Sequence, residues 1–144
     1  MELVQLVYAS SYAKDLALED MREIARTSQR NNSKVGITGM LLFGDRQFLQ
    51  CLEGGRSVVT KTFVRIAADE RHTQVVLIEI VPIVERQFGA WSMAHQQVAK
   101  LDPEMIARYT PNGCFDPLKM MAAQATGLLR EAAAMQKKVR EDAA

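Results

Sequence analysis

Between Leu3 and Val98 the spacing of apolar residues changes from two, to three and four, and back to two, and this succession restricts the chain to few folds. Leu3 to Ser10 alternates: Val4, Leu6 and Tyr8 share one face, and Leu3, Gln5 and Val7 the other. It reads as a strand buried on both sides. Leu18, Met21, Ala25, Ser28 and Asn32 then recur at helical spacing, with Glu19 and Asp20 where a helix N-terminus favours anions, so an amphipathic helix is expected to end near Asn31. Gly36-Ile37-Thr38-Gly39 breaks that pattern. Met40 to Phe43 is continuously apolar, Gly44-Asp45-Arg46 carries turn chemistry, and Gln47 to Glu53 completes a hairpin. After Gly54-Gly55, the stripe Val59, Phe63, Ile66 and Ala67 predicts a second helix closing near Asp69. A β-branched run from Val75 to Val81 follows, Pro82 interrupts it, and a last strand is expected over Trp91 to Val98.

The order strand, helix, strand, strand, helix, strand is that of a split βαβ unit. The fold class is therefore α+β and ferredoxin-like (βαββαββ), with both helices on one face and a fifth strand extending the sheet. The other face carries Leu3, Val7, Leu49 and Cys51 and needs a cover. Leu118, Met121, Ala125, Leu128, Ala132, Met135 and Val139 form a heptad-like seam that can supply it. Asp102-Pro103 starts a shorter helix, and Tyr109-Thr110-Pro111-Asn112-Gly113 breaks the chain before the long one. With 144 residues and 48% apolar content, the expectation is a sheet domain over residues 1–98 and a helical extension over residues 99–144.

Charge and composition remove several classes of function. Eighteen basic residues against 17 acidic leave a net charge near +1, which gathers neither nucleic acid nor an anionic membrane. No apolar run is long enough to span a bilayer and no export signal opens the chain, so a cytoplasmic protein is expected. Cys51 and Cys114 lack metal-ligand spacing, so neither a metal site nor a disulfide is expected.

Some residues are not explained by a plain core. Gln50 shares a strand face with Phe48 and Leu52, and an unpaired buried amide costs about 1–3 kcal/mol, so it requires a partner. Tyr8 has the same need for its hydroxyl. Each such residue also has a purely structural reading. Tyr8 and Gln50 can satisfy one another, Arg65 and Asp69 can form a solvated i,i+4 ion pair, Asn31 and Asn32 can cap a helix, and Trp91 and Met93 can fill a core. Taken together the residues say more. Both helices end in groups able to hydrogen-bond a planar heterocycle, Ser28, Asn31 and Asn32 on one and Arg65, Asp69 and His72 on the other, facing strands that offer Tyr8 and Gln50.

The ordered motifs Tyr8-Ala9-Ser10, Asn32, Gly36-Ile37-Thr38-Gly39, Phe48-Leu49-Gln50 with Leu52-Glu53-Gly54, Asp69-Glu70-Arg71-His72 and Trp91-Ser92-Met93 resemble the BLUF family, sensors of blue light using flavin. The resemblance runs from Leu3 to Met93. It implies FAD, bound non-covalently between the two helices. Asn32 would pair with the O4 and N3 edge of its ring, Arg65 with the O2 side, and Gln50 with N5 and O4. Ser28, Asn31, Asp69 and His72 would complete the polar contacts, and Ile24, Ile37 and Ile66 the apolar walls. It further implies that light draws an electron and a proton from Tyr8, that Gln50 is left rearranged, and that the absorption shifts to the red. Trp91 and Met93 would carry the change outward, with Trp91 also a competing electron donor.

Other uses of the fold fit less well. An RNA-binding sheet needs exposed aromatics and basic flanks, and a phosphate-cleaving site needs an anion cradle before a helix. A small flavin-dependent oxidoreductase is the alternative, but the sequence lacks a nicotinamide fingerprint. The expectation is thus a photosensor and not an enzyme. With no effector domain expected after the sensor, its signal should pass to a separate effector protein or through a homo-oligomer.

Overall fold

The first strand lies second in the sheet and sets its order. The computed structural model describes residues 2–13, 16–89, 94–110 and 112–143. Strand β1 (Leu3–Tyr12) pairs antiparallel with β3 (Gln47–Gly55) on one side and β4 (His72–Pro82) on the other. β2 (Thr38–Gly44) pairs antiparallel with β3, and β5 (Ala94–Gln97) joins β2 in parallel, giving the order β4-β1-β3-β2-β5. This is the ferredoxin-like plan with one added strand. Helices α1 (Leu18–Lys34) and α2 (Arg56–Ala67) contribute to one core, and α3 (Pro103–Tyr109) and α4 (Ala122–Ala143) to the other.

Each boundary has a local cause. The Asp20 carboxylate accepts the Ala17 N–H at 2.8 Å at the start of α1. That helix continues to Lys34, beyond the expected end near Asn31, because Asn31 and Asn32 do not stop it. The break comes at Gly36, whose φ of +74° is open to glycine without strain. The β2–β3 hairpin turns through Asp45 and Arg46, both at positive φ, so the tight turn is made without a glycine at either centre. Asp102 caps α3 by accepting the Glu104 N–H at 2.9 Å.

Even-numbered residues of β1 and β3 face α1 and α2, where Leu6, Tyr8, Phe48 and Leu52 join Met21, Ala25, Ile37 and Val59. Odd-numbered Val7, Ala9, Leu49 and Cys51 face the other way and meet Leu101, Met105, Phe115, Ala125, Leu128 and Ala132. The C-terminal helices are therefore the cover that this face required. The expected seam is shifted at its ends: Met121 and Val139 are exposed, at 73% and 61%, and Leu129 and Ala133 are buried instead. A helix period of 3.6 drifts from a strict seven-residue repeat, so a heptad pattern misplaces residues at the ends of a helix packed on a sheet. At Gly127 a side-chain Cβ would stand 2.4 Å from the Tyr109 ring, so only glycine lets α3 and α4 approach this closely.

β4 begins at His72, three residues before the expected Val75, and β5 is described only from Ala94 and ends at Gln97. Trp91 and Met93 lie outside the described residues.

If α4 is core, Leu128→Ala should lower the unfolding free energy by about 2–5 kcal/mol in urea, while Val139→Ala should change it by less than about 0.5 kcal/mol. Equal effects would mean that α4 is not docked on the sheet.

Candidate functional site

The β1–β3 register places Tyr8 directly opposite Gln50. Both side chains face α1 and α2 and are 2% exposed, and the Tyr8 hydroxyl donates a hydrogen bond to Gln50 Oε1. Burial pushes the phenol well above its usual range. Tyr8 is also packed against Phe63 of α2, with ring centroids 5.4 Å apart. The pair thus satisfies the first need of each group, as the structural reading required, and it does so on the wall of a cavity.

Two adjoining cavities lie between α1 and α2. The outer, about 120 Å³, is lined by Ile24, Ser28, Asn31, Asn32, Arg65 and Ile66, among others. The inner, about 60 Å³, is walled by Tyr8, Leu41, Phe48, Gln50 and His72. Ile24, Ser28, Ile66, Asp69 and Arg71 border both, so the two form one cleft from the helix ends down to the Tyr8–Gln50 pair. Asn32 is 4% exposed, and its side chain makes no hydrogen bond among the described residues although its backbone carbonyl accepts from Val35 and Ile37. A buried amide in that state suits a ligand with both donor and acceptor edges. Asn31 and Arg65 are exposed on the outer rim. Ile37, 1% exposed, belongs to the core on this side but to neither cavity wall.

The polar groups at the end of α2 are arranged differently from the sequence expectation. Asp69 does not pair with Arg65. Its carboxylate is held by Arg71, whose Nε lies 3.0 and 3.1 Å from its two oxygens and whose backbone N–H donates to it at 2.9 Å. The helix has ended at Ala67, so helical i,i+4 geometry no longer applies and the turn favours the i,i+2 pair. The Arg71 guanidinium lowers the Asp69 carboxyl to about 2. His72, the first residue of β4, places Nδ1 2.9 Å from Ser10 Oγ and packs edge-on against Phe48. Burial lowers its pKa, partly opposed by Asp69.

The structure therefore gathers Tyr8, Ile24, Ser28, Asn31, Asn32, Gln50, Arg65, Ile66, Asp69 and His72 around one cleft. Sequence reasoning left Arg71 without a role, together with Thr27, Thr62, Leu41 and Phe48. The Asp-x-Arg spacing just past a helix end was the available sign for Arg71.

The family model described as BLUF, sensors of blue-light using FAD, matches residues 3–94. Among solved structures, the photo-activated state of BlsA superposes with a TM-score of 0.81 and 31% identity, covering 91% of this chain and 94% of that one. The dark-state structure of BlrB, a BLUF protein, gives a TM-score of 0.74 and 30% identity, with 93% and 97% covered. A curated relative, the photoactivated adenylate cyclase subunit beta of Euglena longa, is 33% identical over 127 residues. That match takes in 88% of this chain but only 14% of the cyclase subunit.

The Asp69 carboxyl, at about 2 against an ordinary 3.8, binds fewer protons folded than unfolded, so its contribution to stability is complete above pH 3.8 and is lost as pH falls through about 2. Arg71→Gln should return the carboxyl toward 3.8 in an NMR titration, whereas Arg65→Gln should leave it near 2. The opposite result would restore the Arg65 pairing.

Proposed function

This chain belongs to the BLUF family, the sensors of blue light using FAD, and we propose that it is a blue-light photoreceptor holding FAD non-covalently between α1 and α2. The observation that carries this reading is the buried Tyr8–Gln50 hydrogen bond on the inner wall of the cleft. When bound, FAD supplies the light absorption and an electron-accepting ring. Asn32 offers its buried amide to the ring's edge, Arg65 a cation at the rim, and Ile24 and Ile66 apolar walls, with Ile37 packed in the core alongside. Ser28, Asn31, Asp69 and His72 complete the polar lining, and Arg71 fixes Asp69.

The Tyr8–Gln50 pair has the chemistry of a two-position switch. A hydroxyl both donates and accepts, and an amide has one accepting and one donating end. With the phenol pKa raised by burial, Tyr8 holds its proton at neutral pH and donates to Gln50 Oε1. If the proton leaves and returns while the amide turns, Tyr8 instead accepts from Gln50 Nε2, and Oε1 is released toward the cleft. The exchange alters the bonds available at the cleft wall without moving the backbone.

Residues 1–98 carry this sensor, and residues 99–144 cover the far sheet face and carry the contact to a separate effector protein or a second copy. Trp91 and Met93, which precede Ala94 in the sequence, are assigned the passing of the change outward by their likeness to the family motif; Ala94 itself pairs with Met40 of β2. We read the protein as a cytoplasmic sensor without an enzymatic activity of its own. Among the described residues, no helix is long and apolar enough to cross a membrane.

The purified protein should be yellow, release FAD on denaturation, and show a reversible red shift after blue light. Tyr8→Phe and Gln50→Leu should each retain flavin and lose the normal red-shifted state. A colourless protein that takes up no added FAD, or a normal photocycle in either variant, would overturn the reading.

A further inference from the structure

The two edges of the sheet are finished differently. β5 closes one edge with four residues, Ala94-His95-Gln96-Gln97, three of them polar. β4 closes the other with 11 residues, and among the described residues no strand lies along its outer side. Between Gln74 and Pro82 this strand carries Val75, Val76, Leu77, Ile78, Ile80 and Val81 against one ionisable side chain, Glu79. Leu77 and Ile80 are 48% and 44% exposed. An edge strand is ordinarily kept short or charged, because its free N–H and C=O groups template pairing with another chain. β5 meets that rule. β4 has a register shift between the residues facing Val7 and Tyr8, and a terminal Pro82, but no lysine or arginine along its length.

The side chains that an added strand would meet follow from the register. Leu77 lies across from Tyr8, Val75 from Ser10 and Ile80 from Leu6, so these three share the face of α1 and α2, while Val76, across from Ala9, and Glu79, across from Val7, share the face of α4. Opposed residues in a ladder lie on one face. A second β4 running antiparallel about a two-fold axis at Val76 therefore sets Val76 against Val76 and Leu77 against Val75, apolar against apolar on both faces. The two Glu79 carboxylates then stand three residues to either side of the axis, about 20 Å apart. That is well beyond the screening length of about 8–10 Å, so no like charges meet.

We propose that β4 is a self-association edge, on which a second copy of this chain adds its own β4 antiparallel to make one continuous sheet. The pairing is isologous and the far edge is short and polar, so it closes at two copies instead of propagating. It depends on neither flavin nor light. A single strand pair buries less than the about 1,600 Å² of a standard interface, so the dimer is reversible and of micromolar strength.

The test is sedimentation velocity of the full chain in darkness, from about 5 to about 300 μM. The mass should rise from 16.1 kDa toward twice that value, with half the chains paired at or below about 100 μM. Leu77→Lys/Ile80→Lys should weaken pairing by about tenfold or more, because it places charge on the edge. Met121→Lys/Val139→Lys adds the same charge at exposed apolar positions of α4 and should change the midpoint by less than about twofold. If the β4 lysine pair does not fold, Leu77→Thr/Ile80→Thr keeps strand-forming side chains and should still weaken pairing by about threefold or more. A wild-type monomer at the highest concentration would overturn the proposal and leave the edge to a strand of a different protein. Equal losses in the two lysine pairs would overturn it by moving the contact to α4.

Discussion

The register between β1 and β3 is the constraint on which the site and both cores depend. It sets Tyr8 across from Gln50, and with them Val7 across from Cys51 and Gln5 across from Glu53. A slip of one residue would turn every one of these side chains to the opposite face. Because both faces are buried, such a slip would place the polar groups of each side among the apolar groups of the other. The sheet is thus held in register by its packing more than by its turns, and the placement of the Tyr8–Gln50 pair follows from the same contacts that stabilise the fold.

Much of this was legible in the residues. Alternation in Leu3 to Ser10 and helical spacing in α1 and α2 were strong local signals, and an amide between Phe48 and Leu52 announced a buried hydrogen bond before its partner was known. What the sequence did not disclose were features set by termination and by contact. α1 runs past two asparagines that could have capped it, and Asp69 turns to Arg71 because the helix stops before Arg65 can be its neighbour. Arg71 carried no periodic signal, since a residue in a turn has no face until the turn is seen. The same holds for α4, where the heptad pattern predicted docking on the sheet but not which residues at its ends reach it.

Glu53 shows how the two faces are related. The strand that presents Gln50 to the cleft presents Glu53, three residues on, to the opposite layer, where it organises residues 86–88. A displacement of β3 along its own axis would be felt on both sides at once, because its side chains are anchored above and below. Coupling between the cleft and the far layer then needs no long path of contacts, only one strand that is anchored on both of its faces.

Cys51 lies in that same strand, 1% exposed beneath α4, with its thiol pushed well above its usual pKa by burial and by the nearby Glu53 charge. A protonated, covered sulfur does not react with an alkylating reagent, whereas Cys114 stands in solvent. The chain therefore contains a native chemical clock: the rate at which Cys51 becomes alkylated counts the moments when the C-terminal cover lifts from the sheet, with Cys114 as its internal reference.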